Sequence, residues 1–163
     1  MAQNFWDRVT EHGGVRTGYM RTGRLQPIAT DNGLKLSQTR SAAAKTLWQG
    51  NAQWSVIPSD PTNPWEPRSP TGMLIHDDLS AHMHPRMACA ALVAALQSKG
   101  VEVVTDATNA GKTIWATGAQ GLADLSEEYQ HEVGAGEKGQ AALLKLDVPN
   151  APQLYTDYLH VIP

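Results

Sequence analysis

The chain has 163 residues, of which 41% are hydrophobic and 18% charged, so it can form one domain with a conventional core, or two domains only if both are small. Thirteen Lys and Arg against sixteen Asp and Glu give a net charge of -3 without any Lys- or Arg-rich block, which argues against a nucleic-acid partner. The single cysteine excludes an internal disulfide framework. No apolar run of about 18 residues or signal-like segment occurs, so we expect a cytoplasmic chain with no membrane partner.

The first part of the chain alternates helical patterns with an extended segment. Apolar residues at helical spacing over residues 2–9, followed by two glycines, predict a short amphipathic helix. Residues 18–30 are rich in turn and strand residues, which predicts an extended, hairpin-like segment. A second helical face covers residues 36–48 and stops at Gly50.

An irregular stretch follows at residues 58–70, where five of thirteen residues are proline. Proline lacks an N–H group and restrains the residue before it, so regular structure stops there. Trp54 and Trp65 lie beside and within this stretch. Large aromatic side chains favour burial, so we expect the stretch to be pinned to a surface rather than to form a free linker.

The strongest helical pattern of the chain lies in its centre. Residues 72–76 predict a short strand, which leads through a polar connection to Pro85, a residue tolerated in the first turn of a helix. Apolar residues then recur on one helical face until Lys99 and Gly100 end the helix.

The remaining sequence predicts short strands. The runs at 101–104 and 113–116 are β-branched or apolar, and the second ends in an exposed glycine turn at Thr117 and Gly118. Two more strands are predicted at 140–147 and at 155–162.

A glycine pattern at residues 134–139 matches Gly-x-Gly-x-x-Gly, the dinucleotide-binding fingerprint. The fingerprint needs a strand before the glycines and a helix after them, because the helix N-terminus holds the pyrophosphate. Here the preceding residues are polar, and the following apolar run is too short for that helix. We therefore interpret residues 134–139 as a loop that enters a strand.

Three histidines, His76, His82 and His84, lie close together around the polar connection before the central helix. In an extended backbone His82 and His84 would present their imidazoles on one face, as a metal site requires. The spacing fixes no further ligand, and an ordinary polar connection explains the same residues. A small metal protein built on this cluster remains one hypothesis.

Six short motifs follow one another through most of the chain: RTGRLQPIA at 21–29, HPR at 84–86, KGVEV at 99–103, IWATG at 114–118, KGQ at 138–140 and YTDYLHVIP at 155–163. Their order and spacing resemble the FAD-dependent D-amino acid oxidase superfamily, with glycine oxidase and its bacterial relatives as the most similar members. The resemblance implies an α+β fold. A mixed or antiparallel sheet with flanking helices would form the substrate domain, and an α/β piece of a Rossmann-type FAD domain would be inserted in it.

On the family's map, residues 1–75 and 123–163 are two parts of the substrate domain, and residues 76–122 are an inner piece of the FAD domain. Family members also have an N-terminal glycine fingerprint and a C-terminal segment that have no counterpart in this sequence. The resemblance therefore implies the interior portion of an oxidase. We expect such a portion to be inactive alone and not to hold FAD stoichiometrically.

The resemblance also implies the site residues. Val104 and the run from Ala116 through Thr117 to Gly118 would contact FAD, since a glycine lets the backbone approach a ligand closely. Tyr155 and His160 would face the substrate; glycine oxidases carry a tyrosine where this sequence has His160. No catalytic side chain is implied, and no metal ligand is.

The activity implied by the resemblance is oxidation of a small amine or amino acid to an imine, with FAD performing the redox step. A second hypothesis is a non-catalytic or split-chain binding and assembly module of the same family, which needs a partner chain, or the missing segments of the enzyme, to complete the flavin site. The histidine-cluster metal protein is the third.

Overall fold

The computed structural model describes residues 2–106, 111–148, 150–156 and 158–163. Among these residues the chain forms four helices and five strands. In chain order they are α1 (Ala2–Gly13), β1 (Arg24–Pro27), α2 (Asp31–Leu47), β2 (Trp54–Pro58), β3 (Met73–Asp77), α3 (Pro85–Ser98), α4 (Gly118–Glu128), β4 (Gln153–Tyr155) and β5 (His160–Val161).

The five strands form one mixed sheet in the order β2-β3-β1-β4-β5. Strand β1 pairs antiparallel with β3 on one side and parallel with β4 on the other, and the remaining pairs are antiparallel. Strand β4, near the end of the chain, thus lies directly beside β1. This arrangement places residues from distant parts of the sequence on one sheet face.

The core has two parts, one between helices α1 and α3 and one in the sheet, against which α2 packs at β2. Its most buried apolar side chains are Val9, Leu25, Ile28, Ala44, Leu74, Ile75, Ala88 and Ala91. Helices α1 and α3 pack closely because Gly13 has no side chain: a Cβ atom there would lie 2.8 Å from the backbone nitrogen of Ala95. Small residues on both helices therefore set the distance between them.

The described residues divide into two compact units. One contains residues 1–103 and 146–163 and holds the whole sheet, and the other contains residues 104–145 with α4 as its helix. The second unit leaves many apolar side chains exposed, including Ile114 at 90% and Leu143 at 100%. A unit of this size has little interior in which to bury such residues.

Several sequence predictions are confirmed. Helices α1, α2 and α3 and strand β3 form close to their predicted positions. His84 caps α3 by accepting a hydrogen bond from the backbone N–H of Met87, with Pro85 in the first turn. The proline-rich stretch is pinned as expected, since the indole N–H of Trp65 donates to the carbonyl oxygen of Pro152 at 2.8 Å.

Other predictions are wrong in detail. Residues 18–30 are extended but form no hairpin with one another: Met20 bridges His82, and β1 pairs with β3 and β4. The predicted strand at 155–162 is instead a hairpin of β4 and β5, because the chain turns between Thr156 and Leu159.

The strands predicted at 101–104, 113–116 and 140–147 are absent from the described structure. These runs have strand-forming composition, but no described segment pairs with them, and a strand needs a partner to satisfy its backbone. The expected glycine turn at Gly118 is the start of helix α4. Residues 134–139 form a loop as predicted, although no strand follows among the described residues.

The α+β class with a mixed sheet is confirmed. The Rossmann-type character of the inserted piece and the division into residues 1–75, 76–122 and 123–163 stay predictions. No helix among the described residues is long and apolar enough to span a membrane.

Candidate functional site

One face of the sheet collects charged, aromatic and amide side chains. Arg24 on β1 is in register with Asp77 on β3 and with Gln153 on β4, so the three side chains lie side by side on the same face. Tyr155 follows two residues after Gln153, and His160 is its partner on β5. We refer to these five residues as the polar face.

Asp77 anchors the polar face. Its side chain is 3% exposed, and its Oδ1 accepts hydrogen bonds from the backbone N–H groups of Leu79 at 3.1 Å and Ser80 at 2.7 Å. Its Oδ2 lies 3.0 Å from Nε of Arg24. This carboxylate therefore fixes both the turn that follows β3 and the position of the Arg24 guanidinium.

Tyr155 lies between the two ends of the polar face. The guanidinium carbon of Arg24 is 5.7 Å from the centre of the Tyr155 ring, a cation–π distance. On its other side the Tyr155 ring meets the His160 imidazole edge to face, with ring centres 5.6 Å apart. The Tyr155 ring therefore lies between the Arg24 guanidinium and the His160 imidazole.

Gln153 holds the imidazole of His160 in position through a hydrogen bond. Its Oε1 lies 3.0 Å from Nε2 of His160, so one ring nitrogen is held and Nδ1 remains free of this contact. Gln153 itself is 3% exposed, and its Nε2 finds no partner among the described residues. The Nε of Arg24 is likewise enclosed; it is close to Asp77 but not aligned for a hydrogen bond.

The sequence therefore found part of this site. Tyr155 and His160, which the resemblance predicts to face the substrate, are in contact, and their role stays a prediction. Arg24, Asp77 and Gln153 were missed. The available signal was the charge of Asp77 at the end of the apolar run of β3, since a buried charge requires a partner.

The residues predicted to contact FAD lie in the unit of residues 104–145. Val104 is exposed and belongs to no strand. Thr117 and Gly118 begin helix α4, with Gly118 at a φ of +66° and Thr117 making no side-chain capping bond. Ala116, Thr117 and Gly118 line a cleft of about 220 Å³ together with Trp115, Gly121, Leu122 and Leu125.

These residues fit a part of FAD. A glycine at the first turn of α4 and the free backbone N–H groups there suit an acceptor-rich ligand, and no atom lies within 4 Å of where a Gly118 Cβ would be. Pockets that enclose a whole ligand of moderate size hold about 300–1,000 Å³. The cleft is smaller than that, so it is too small to enclose a whole FAD molecule.

The histidine cluster does not assemble into a metal site. His84 caps α3, while His82 is bridged to Met20 and has its Nε2 enclosed without a partner in the described structure. Burial lowers the pKa of His82. Within the described ranges no group of three or more His, Cys, Asp or Glu side chains is placed to hold a metal ion.

A larger cleft of about 640 Å³ lies between α2 and β2. Its polar lining includes Gln38, Lys45 and Gln53, together with Ser41, whose hydroxyl donates to the carbonyl oxygen of Trp54 at 3.1 Å. The cleft is open to solvent.

The fold is that of an α+β protein with a mixed five-stranded sheet, one face of which carries the polar face. Comparison with protein families identifies the class more closely: the model described as FAD dependent oxidoreductase, the D-amino acid oxidase family that the motifs resemble, matches residues 1–152. The chain belongs to this family. No curated protein and no solved structure matches it significantly.

Proposed function

We propose that this chain supplies the substrate side of a flavin-dependent oxidoreductase that converts a small amine or amino acid to an imine. The observation that carries the proposal is the polar face, where Tyr155 and His160 meet on paired strands in a chain of the FAD dependent oxidoreductase family. A sheet surface is a rigid support, so both side chains can hold a substrate in a fixed orientation.

The chain's own residues bind and orient the substrate. The Tyr155 ring offers an apolar wall to the carbon skeleton, and the imidazole of His160, held at Nε2 by Gln153, presents Nδ1 to a polar group such as the amine. FAD, when bound, supplies the acceptor for the hydride of the carbon that bears the amine. The hydride step requires no acid or base from the polar face.

On the cofactor side, Ala116, Thr117 and Gly118 would contact FAD through the first turn of α4, and Val104 would lie along it. The cleft of about 220 Å³ beside these residues is too small for a whole FAD molecule, which supports contact with only part of the cofactor. We therefore expect the isolated chain to bind FAD weakly and with less than one equivalent.

The second candidate is an assembly module that needs a partner chain to complete the flavin site. The exposure of Ile114 and Leu143 in the unit of residues 104–145 favours it, because large exposed apolar residues mark interaction surfaces. In this case the polar face retains a substrate or ligand, and the partner contributes most of the cofactor contacts.

The test isolates the tagged protein from its own cells under native conditions, so that natural partners remain bound. We expect the material isolated together with its partners, unlike the chain purified alone, to show flavin absorption and to produce hydrogen peroxide or reduce a dye with at least one of glycine, sarcosine, D-alanine or benzylamine. Flavin that accompanies a partner chain supports the assembly module. Material with neither flavin nor amine oxidation contradicts the proposed function.

A variant pair links the activity to the polar face. Tyr155→Ala should lower kcat/KM by about tenfold or more, since loss of about 1.4 kcal/mol of substrate orientation corresponds to tenfold. Tyr158→Ala is the matched control because Tyr158 is fully exposed and lies nearby in sequence. Equal effects of the two substitutions would show that Tyr155 does not face the substrate.

A further inference from the structure

Strand β2 has backbone hydrogen-bonding groups that the described structure does not use. Gln53 and Ser59, just before and just after β2, are hydrogen-bonded through their backbones to the residues opposite them beside β3. Bonded and free positions alternate along an antiparallel strand, so Ser55 and Ile57 also bond toward β3 while Val56 faces the other way. Because β2 is at the edge of the sheet, the N–H and C=O groups of Val56 have no strand partner among the described residues.

The free part of this edge is short. Before Val56, the carbonyl oxygen of Trp54 already accepts a hydrogen bond from the hydroxyl of Ser41 at 3.1 Å, which also shows that α2 lies along this edge. After Val56, Pro58 has no N–H to donate. Val56 thus presents one donor and one acceptor toward α2, which is the pattern of a single hydrogen-bonded pair in an antiparallel ladder. A long strand cannot add here, whereas a short peptide can.

The cleft of about 640 Å³ between α2 and β2 lies against these groups, since Val56 is part of its lining. Its volume is within the range of about 300–1,000 Å³ that is usual for ligand pockets. Lys45 is the one charged side chain of the lining, which contains no Asp or Glu. In the described part of the chain the Lys45 ammonium forms no ion pair. The carbonyl end of α2 carries only a partial negative charge, so the full charge of Lys45 makes the cleft suited to an anion.

Val56 and Lys45 lie toward opposite ends of the cleft. The chain turns between Trp48 and Asn51 directly after α2, which keeps the last turn of the helix, with Lys45, near the end of the cleft that Gln53 lines. Val56 lies further along the extended backbone of β2, about 10 Å from Gln53. A ligand that reaches both ends therefore has the length of about three extended residues.

We propose that the cleft between α2 and β2 binds a short peptide with a free C-terminal carboxylate. One peptide residue exchanges two hydrogen bonds with the N–H and C=O of Val56, and the carboxylate lies at the Lys45 ammonium. The peptide therefore runs antiparallel to β2. Trp54 and Met73 supply apolar surface for its side chains. The cleft shares no residue with the polar face, so the inference does not depend on the proposed oxidase activity.

The experiment titrates the whole chain with N-acetyl-trialanine, which has a free carboxylate, and follows backbone amide signals by nitrogen-15 NMR. The C-terminal amide of the same peptide lacks the charge, an analogue with an N-methyl group on its first alanine lacks the donor for Val56, and acetate tests the anion alone. Lys45→Met removes the cation. Lys35→Met is the matched control, because Lys35 is exposed on α2 and does not line the cleft.

We expect the peptide to bind with millimolar affinity and to shift the Val56 amide signal, while the signal of Leu25 in the middle of the sheet stays unchanged. Loss of the charge, by the peptide amide or by Lys45→Met, should weaken binding about threefold to fivefold, because solvent screens an exposed ion pair. The N-methyl analogue should bind about fivefold more weakly because it loses a hydrogen bond. Lys35→Met should not alter binding.

Four results would overturn the inference. These are no saturable shift at Val56 in the millimolar range, the same shifts with acetate, which would indicate an adventitious ion only, equal binding of the N-methyl analogue, or unchanged binding when the charge is removed. Circular dichroism checks that Lys45→Met is folded, and the peptide amide tests the same charge pair in the unaltered chain. Peptide binding in a protein that lacks flavin and amine oxidation would sustain this inference and contradict the oxidase, and an oxidase that binds no peptide would do the reverse.

Discussion

Removal of the Asp77 carboxylate is the sharpest test of how the polar face is built. Asp77→Ala deletes two hydrogen bonds from backbone N–H groups, at 3.1 and 2.7 Å, and the ion pair with Arg24. It also leaves two N–H groups after β3 without an acceptor. Asp77→Asn removes the charge but can keep both hydrogen bonds through its amide oxygen.

The expected magnitudes follow from burial. A hydrogen bond to a charged acceptor contributes about 1.5–3 kcal/mol to stability when its partners are buried. The ion pair adds about 1 kcal/mol or less, since Arg24 is partly exposed and solvent screens it. We therefore expect Asp77→Ala to lower the free energy of unfolding by about 3–5 kcal/mol and Asp77→Asn to lower it by about 1–2 kcal/mol.

Urea unfolding followed by tryptophan fluorescence measures both values, because Trp54 is the strand partner of Asp77 across β2 and β3. Asp78→Ala is the matched control. Asp78 is the next residue and its side chain is 47% exposed; its Oδ1 pairs with Arg21 at the surface and accepts a hydrogen bond from the backbone N–H of Gln53 at 2.7 Å. A cost of about 1–2 kcal/mol is expected for it, because both interactions are exposed to solvent. If Asp77→Ala costs no more than Asp78→Ala, then Asp77 does not anchor the face.

Three further predictions concern stability. Gly23→Ala should destabilise the protein by about 1–3 kcal/mol more than Gly50→Ala: both glycines have a φ of +76°, but only at Gly23 would a Cβ meet backbone, 2.5 Å from a carbonyl oxygen of β3. Equal urea midpoints would refute this. Burial lowers the pKa of His82, so the unfolded chain takes up a proton more readily. Stability should be complete above about pH 6.5 and fall as the pH drops toward the lower folded-state pKa, and His82→Gln should flatten this fall in thermal unfolding measured against pH. Trp65→Phe removes the indole hydrogen bond to Pro152 and should cost about 1 kcal/mol in urea unfolding; an unchanged midpoint would show that this bond does not pin the proline-rich stretch.

The helices of the sheet-bearing unit could be predicted from sequence because their signals are local. Helix α3 carries a first-turn proline, a regular apolar face and a terminal glycine within a single stretch of chain. Helix α4 has weaker signals. It contains two glycines, Gly118 and Gly121, and each lowers helix propensity by about 1 kcal/mol relative to alanine.

The polar face could be predicted only in part because its residues come from four strands. Nothing in the local sequence places Arg24 beside both Asp77 and Gln153; that neighbourhood depends on the order β3-β1-β4. Tyr155 and His160 could be predicted as site residues from the family resemblance. Register, which decides which side chains share a face, follows from the packing of the whole sheet.

The strand predictions that failed have a common physical cause. Leu143, Leu144 and Leu146 lie in a run with strand-forming composition, yet all three are strongly exposed. Strand propensity describes how well a side chain fits a pleated surface, whereas a strand exists only when a neighbour satisfies its N–H and C=O groups. Strand β3 of similar composition is paired on both sides and is buried. The difference between the two segments is therefore the presence of pairing partners among the described residues.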